Sequence, residues 1–255
     1  MERFNLHGKC ALVTGAGTGL GRGMATALLQ AGARVALAGR RVEKLAQAIE
    51  DLDPELRERA VPIELDITCS ASIGRAINII EDSIGRIDIL VNNAGNAYSG
   101  TVLESDHDLW SKQFETNVFG LAEVSRQVGR HMIASEVAGS IINIGSILGI
   151  RSNIGSAAYC ASKSAVIGLT RTMALEFAKK NIRVNAILPG VFKTELVDWM
   201  EDEAMLDNVR SRVPTGKIGH ADDLAGPIIL LASDAGRHMT GAIIPVDGGH
   251  LSASL

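Results

Sequence analysis

Short apolar runs of strand length alternate with helix-length segments from one end of the chain to the other. The runs fall at residues 11–13, 35–38, 61–65, 87–91, 141–144, 182–187 and 242–246. Helical patterning fills 20–31, 42–52, 71–84, 106–134, 156–179 and 222–232. Runs that are apolar nearly throughout suit strands covered on both faces. Regular strand and helix alternation predicts an α/β fold of the Rossmann type, a doubly wound parallel sheet of about seven strands with helices on both faces. No linker, repeat or low-complexity tract divides the 255 residues, so one domain over 1–255 is expected. Ligands of such sheets bind beyond the carboxyl ends of the strands. Residues 192–219 are richer in charge and less regular, with a helical piece around 195–212, and are read as a lid beside that site.

The glycine-rich turn Thr14-Gly15-Ala16-Gly17-Thr18-Gly19-Leu20-Gly21 follows the first strand and opens the first helix. Glycines there permit a tight turn and let a pyrophosphate approach the amide hydrogens and positive dipole of the helix start. The spacing is G-x-x-x-G-x-G, through Gly15, Gly19 and Gly21, rather than the usual G-x-G-x-x-G. Gly15, Thr18, Gly19 and Leu20 form the expected phosphate end of a dinucleotide site. The second strand ends at Ala38-Gly39-Arg40-Arg41, without the acid that would hold a ribose 2′-hydroxyl. Gly39 leaves room for a 2′-phosphate and Arg40 can pair with it, which favours NADP(H) over NAD(H). Thr18 is not basic, so that preference rests mainly on Arg40.

Tyr159 and Lys163 stand four residues apart on one face of a predicted helix, with Ser146 upstream in Asn143-Ile144-Gly145-Ser146. An ammonium near a phenol in a partly dry site stabilises the phenolate and lowers its pKa toward the working pH, where a general acid or base is most useful. Such a pair is more often a packed ring and a solvated charge, so its meaning depends on context.

That context is a set of motifs in register: Thr14-Gly15-x-x-x-Gly19-x-Gly21; Asn92-Asn93-Ala94-Gly95 after the fourth strand; Asn117 in the long middle helix; Ser146 with Tyr159-x-x-x-Lys163; and Pro189-Gly190 followed by Thr194. Together they resemble the short-chain dehydrogenase/reductase family over residues 9 to about 249. The resemblance implies an oxidoreductase that moves a hydride between NADP(H) and a carbonyl or secondary alcohol. Tyr159 would exchange the proton, Ser146 would orient the substrate oxygen, and Lys163 would lower the Tyr159 pKa and hold the nicotinamide ribose. Asn117 would hold a relay water on its backbone carbonyl; on its own it reads equally well as a polar residue satisfying a bent helix. Asp66 would accept from the adenine amino group, with Ile67 supplying an amide, although Asp66 also reads as a helix cap before Thr68 and Ser70. Asn93, Ala94 and Gly95 would line the adenosine ribose, and Asn93 could equally tie two strands together. Pro189, Gly190 and Val191 would frame the nicotinamide, and Thr194 would bond its carboxamide.

The substrate wall is expected from Tyr98, Ile147, Leu148, Gly149, Arg151, Asn153, Phe192 and the lid. Arg151 reads either as a carboxylate contact or as a surface loop arginine. A 3-oxoacyl-carrier-protein reductase is the alternative, opposed by the stretch Ala134-Ser135-Glu136-Val137-Ala138, which offers an acidic carrier no cation. A dinucleotide sensor without turnover is a further alternative. A serine hydrolase is disfavoured because Ser146 lacks a G-x-S-x-G elbow. Cys160 is read as a small packing residue rather than a reactive thiol. The resemblance also implies a homotetramer built on the two long helices and the last strand.

Composition narrows the partners. Net charge is −4 and the 25 basic residues are scattered, which argues against nucleic acid. No stretch approaches the ~18 apolar residues of a membrane span. Residues 1–9 lack a signal-peptide core. Cys10, Cys69 and Cys160 are too scattered for a metal knuckle, so no metal is expected and a reducing cytoplasm fits best.

Overall fold

The computed structural model describes residues 2–193 and 203–253. Seven strands form one sheet: β1 (Cys10–Thr14), β2 (Arg34–Gly39), β3 (Ala60–Glu64), β4 (Ile89–Asn92), β5 (Ser140–Ile144), β6 (Arg183–Pro189) and β7 (Ile243–Val246). All pairings are parallel, in the order β3-β2-β1-β4-β5-β6-β7. The helices are α1 (Gly19–Gln30), α2 (Val42–Glu50), α3 (Pro54–Arg57), α4 (Ser70–Ile84), α5 (His107–Phe114), α6 (Leu121–Ala134), α7 (Ala157–Ala178), α8 (Glu203–Arg212) and α9 (Ala225–Ala232). None of the described helices is long and apolar enough to cross a membrane.

Alternation along β1 divides the core. Ala11 and Val13 join a buried cluster with Met24, Leu28, Leu45, Ile228 and Leu231, beneath α1, α2 and α9. Cys10 and Leu12 point to the other face, where α4, α6 and α7 supply Ile73, Ile77, Ile80, Val124, Val128 and Val166. On α4 the apolar positions Ile73, Ile77, Ile80 and Ile84 recur every three or four residues, so one stripe meets the sheet. Each such side chain contributes on the order of 1.5–3 kcal/mol by leaving water.

Three elements differ from the sequence reading. The middle helix runs unbroken over 107–134 but is not α throughout: α5, capped by Asp106 accepting from the Leu109 amide at 2.8 Å, passes into a π-helical stretch, Glu115–Gly120, before α6. Period alone cannot distinguish this widened turn, because apolar spacing persists through it. The short α3 begins with Pro54, whose fixed φ suits a first helical turn, and its four residues are too few to show a period. The final helix starts as a 3-10 turn over Ala221–Leu224. The expected lid is described only from Glu203 onward, where α8 lies; its first part, 194–202, is outside the described residues.

Strand order reverses between β2-β1 and β4, and there the chain is clamped. The Thr14 hydroxyl accepts from the Asn93 and Ala94 amides at 3.1 and 3.0 Å, and Asn93 Nδ2 donates to the Thr14 and Gly15 carbonyls at 3.0 and 3.1 Å. Gly15 has φ 65°, and a Cβ there would sit 2.9 Å from Ala94 Cα. Gly21 packs closer still, so that a Cβ would run into the Gly15 carbonyl and Asn93 Nδ2. Gly21→Ala therefore forces the backbone apart at the switch point. We expect a loss of about 1–3 kcal/mol in chemical denaturation; an unchanged midpoint would show that the clamp has slack.

Candidate active site

One cavity of about 1770 Å³ opens along the carboxyl ends of β1, β2, β4, β5 and β6. At one end the glycine turn lines it with Gly15, Thr18, Gly19 and Leu20. Thr18 is the N-cap of α1 but makes no side-chain capping bond, so the amides of the first turn are left facing the cavity. Arg40 stands exposed at the rim and draws the Asp66 carboxyl down, though less than the Thr68 backbone and side-chain bonds do. Asp66 Oδ1 accepts from the Thr68 amide and hydroxyl at 2.9 and 2.7 Å, closing a turn ahead of α4 rather than capping the helix, whose N-cap is Cys69, and Asp66 and Ile67 both line the cavity. Asn93 likewise performs its strand-tying role while lining the site with Ala94 and Gly95.

At the other end β5 stops at Ile144, and Ser146 caps a tight turn, Ile147–Gly149, by accepting from the Leu148 amide at 3.1 Å. The first turn of α7 brings Tyr159 to the same wall of the cavity as Ser146. Lys163, one turn on, is buried, donates to the Ile144 carbonyl at 2.9 Å, and lies 5.6 Å from the centre of the Tyr159 ring. Ser146, Tyr159 and Lys163 thus share one wall of the cavity, with Pro189, Gly190 and Val191 after β6 also lining it. Gly190 is there because a Cβ would press on Asp247 Cα at 2.7 Å. Thr194 lies outside the described residues.

The electrostatics correct one expectation. Burial pushes the Tyr159 phenol up, and the neighbouring Ser146 hydroxyl opposes it only in part. The pair instead adjusts through the lysine, whose ammonium burial drives down to about 8. The reason is geometric: Lys163 Nζ is directed to a backbone carbonyl and over the ring, while the ring itself is dehydrated by its surroundings. At neutral pH the tyrosine therefore carries its proton and the lysine its charge.

Asn117 does not line the cavity. It sits in the π-helical stretch and spends its side chain on structure: Oδ1 accepts from the Asn96 amide at 2.9 Å, and Nδ2 donates to the Asn96 carbonyl at 2.9 Å and to the Ser162 hydroxyl at 3.1 Å. Ser162 in turn donates to the Tyr159 carbonyl at 2.8 Å. Gln113, which sequence reading passed over, is fully buried and completes this lattice, giving Nε2 to the Asn96 carbonyl and Oδ1 at 2.6 Å each and accepting from the Tyr98 amide at 2.9 Å. A glutamine on an amphipathic helix carries no sequence mark that separates it from its solvated neighbours.

Of the residues expected at the substrate wall, Tyr98, Ile147, Leu148, Arg151, Asn153 and Phe192 line the cavity, whereas Gly149 lies behind them against Ile167 and the Lys163 carbonyl. Val209, Ser211 and Arg212 reach the cavity from the region of α8. His250, which sequence reading also passed over, lines it from the C-terminal segment. Cys160 is buried, in keeping with a packing role.

A cleft that begins at a glycine turn and ends at a Ser, Tyr and Lys cluster defines a class. A family profile described as enoyl-(acyl carrier protein) reductase matches residues 15–250. The 2-dehydro-3-deoxy-D-gluconate 5-dehydrogenase of Escherichia coli is 38% identical, over 99% of each chain. The 3-oxoacyl-[acyl-carrier-protein] reductase FabG of Thermotoga maritima is 35% identical, over 96% of this chain and 99% of its own. Among solved structures, a gluconate 5-dehydrogenase from Burkholderia cenocepacia in complex with NADP and tartrate is 37% identical and superposes with a TM-score of 0.92, over 99% of this chain and 98% of that one. The chain belongs to the short-chain dehydrogenase/reductase family of NAD(P)-dependent oxidoreductases.

The buried lysine gives a direct check. In a chemical-shift titration of the free protein, Lys163 should lose its proton near about 8. Titration at the value of an exposed lysine, near ~10.4, would contradict its burial against Ile144.

Proposed function

We propose that the protein transfers a hydride between NADP(H) and a small carbonyl or secondary-alcohol substrate, with Tyr159 as general acid and base. The observation that carries this reading is the convergence of Ser146, Tyr159 and Lys163 on the same cavity as the unfilled first turn of α1. The residues present fit a dinucleotide. Backbone amides at Thr18, Gly19 and Leu20 suit its pyrophosphate, Asp66 and Ile67 its adenine, and Asn93, Ala94 and Gly95 its adenosine ribose. Pro189, Gly190 and Val191 would flank the nicotinamide, and Thr194 follows them in sequence. When bound, the nicotinamide supplies or accepts the hydride.

The protein's own work is proton transfer and positioning. Ser146 holds the substrate oxygen toward Tyr159, and a protonated phenol donates to that oxygen as negative charge develops on it. Lys163 remains cationic below about 8, stabilising the phenolate left behind and reaching the nicotinamide ribose. In alcohol oxidation the same groups run in reverse. Asn117 would hold a relay water on its backbone carbonyl while its side chain braces the Tyr159 turn. Val209 and Arg212 on the cavity support a lid role for 192–219. Exposed Phe119 and Leu175 support a homotetramer, which light scattering checks.

The relatives named above differ in substrate, so the choice of a small molecule over an acyl carrier rests on this chain. Glu136 stands exposed before β5, where an acidic carrier would need a cation. The NADP(H) preference rests on Arg40, which lines the cavity without a hydrogen-bonded or ion-paired partner among the described residues and so has donors to offer a 2′-phosphate. Loss of NADPH absorbance with a panel of small ketones tests the reaction. Arg40→Ala should raise KM for NADPH about tenfold or more while leaving NADH nearly unchanged. Tight NADPH binding without turnover of any ketone would favour the sensor reading; equal loss for both cofactors would remove the role of Arg40.

A further inference from the structure

The cavity carries positive charge at its substrate end that dinucleotide binding and proton transfer leave unused. Arg151 lies one tight turn beyond Ser146, its amide donating to the Ile147 carbonyl at 2.9 Å. Its guanidinium is half-buried and pinned by one bond, from Nη1 to the His250 carbonyl at 2.6 Å. The remaining guanidinium nitrogens have no protein partner among the described residues. Arg151 is therefore not a solvated loop arginine but a fork held in place with donors to spare.

Two further groups converge on it. Arg212, in the last turn of α8, is exposed, lines the same cavity, and has no hydrogen bond or ion pair among the described residues. His250 lines the cavity, and its buried Nδ1 has no hydrogen-bond partner among the described residues. Burial first, and then the charges of Arg151 and Arg212, hold the His250 imidazole toward its neutral form. The one nearby acid that opposes them, Asp247, is already engaged, accepting from the Gly249 and Leu251 amides at 2.9 and 2.7 Å. A set of donors close to the reacting end, with the acid that acts on His250 tied to backbone, is built to receive an anion.

We propose that Arg151, Arg212 and His250 form a subsite for a substrate carboxylate, which makes the substrate class hydroxy and keto acids rather than neutral alcohols and ketones. The inference rests on the oxidoreductase reading for the word substrate but not for the binding itself. Arg151 takes the carboxylate through its free nitrogens, His250 donates a further hydrogen bond, and Arg212 covers the anion from the α8 side. The carboxylate then fixes which carbon of the chain presents its oxygen to Ser146 and Tyr159.

Titration calorimetry with D-gluconate and D-glucitol tests this, because the two share a polyol chain and differ at the terminal carboxylate. The wild-type protein should bind gluconate at least about tenfold more tightly than glucitol. That ratio should fall below about threefold in Arg151→Gln and in Arg212→Gln, as expected for loss of one charge-assisted contact. Arg212→Gln removes no contact within the described protein, so it keeps the test sharp if Arg151→Gln loosens the C-terminal segment. No measurable gluconate binding, equal binding of the two probes, or a ratio preserved in both variants overturns the subsite. Turnover separates the two claims. NADPH-linked reduction of neutral ketones without carboxylate preference sinks the subsite and spares the oxidoreductase reading. A carboxylate preference without nicotinamide-linked turnover does the reverse.

Discussion

A buried ammonium organises the catalytic end of the molecule. Lys163 is taken out of water with one hydrogen-bond acceptor among the described residues, the backbone carbonyl of Ile144 at the end of β5, and its proton is held less tightly because of burial. An unpaired buried charge is expensive, so its surroundings must be fixed for it to persist. Here they are fixed by the sheet: β5 is paired with β4 through Asn143 and with β6 through Ile144, so the Ile144 carbonyl sits at the end of a strand held on both sides. The same strand end delivers Ser146, and the same helix delivers Tyr159. Three side chains are thereby brought together by two rigid elements rather than by a loop.

Polar groups behind the cavity hold those elements in register. Asn92 on β4 donates to Asn143 on β5, and Asn143 donates to Thr170 on α7, each at 2.9 Å and each buried. In front, Gln113, Asn117 and Ser162 connect the loop after β4 to the turn bearing Tyr159. The π-helical stretch has a structural counterpart in this lattice, since the widened turn contains Asn117, whose amide reaches both Asn96 and Ser162. Buried amides of this kind fix geometry when they are fully bonded and cost stability when they are not.

Much of this was legible in the sequence. All seven strands fall where the apolar runs lie, because strands covered on both faces are apolar over most of their length. The glycine turn, Ser146, Tyr159 and Lys163 were legible because their spacing is itself the geometry. What escaped depends on distance along the chain. Gln113 meets Asn96 across 17 residues and His250 meets Arg151 across 99, and neither pairing leaves a periodic trace. The direction of the Tyr159 shift also escaped, since spacing gives the approach of a lysine but not the dehydration of the ring. Asp66 and Asn93 show a related limit: the same side chain holds the backbone and lines the cavity, and sequence alone offered those as alternatives.

The central claim is that Tyr159 moves the proton that accompanies hydride transfer. Single-turnover reduction of a ketone by NADPH, compared between wild type and Tyr159→Phe at matched cofactor saturation, tests it most directly. The account predicts a rate lower by about 10²–10⁴-fold with NADPH affinity retained. A rate within a few-fold of wild type would contradict it and assign the proton to another group.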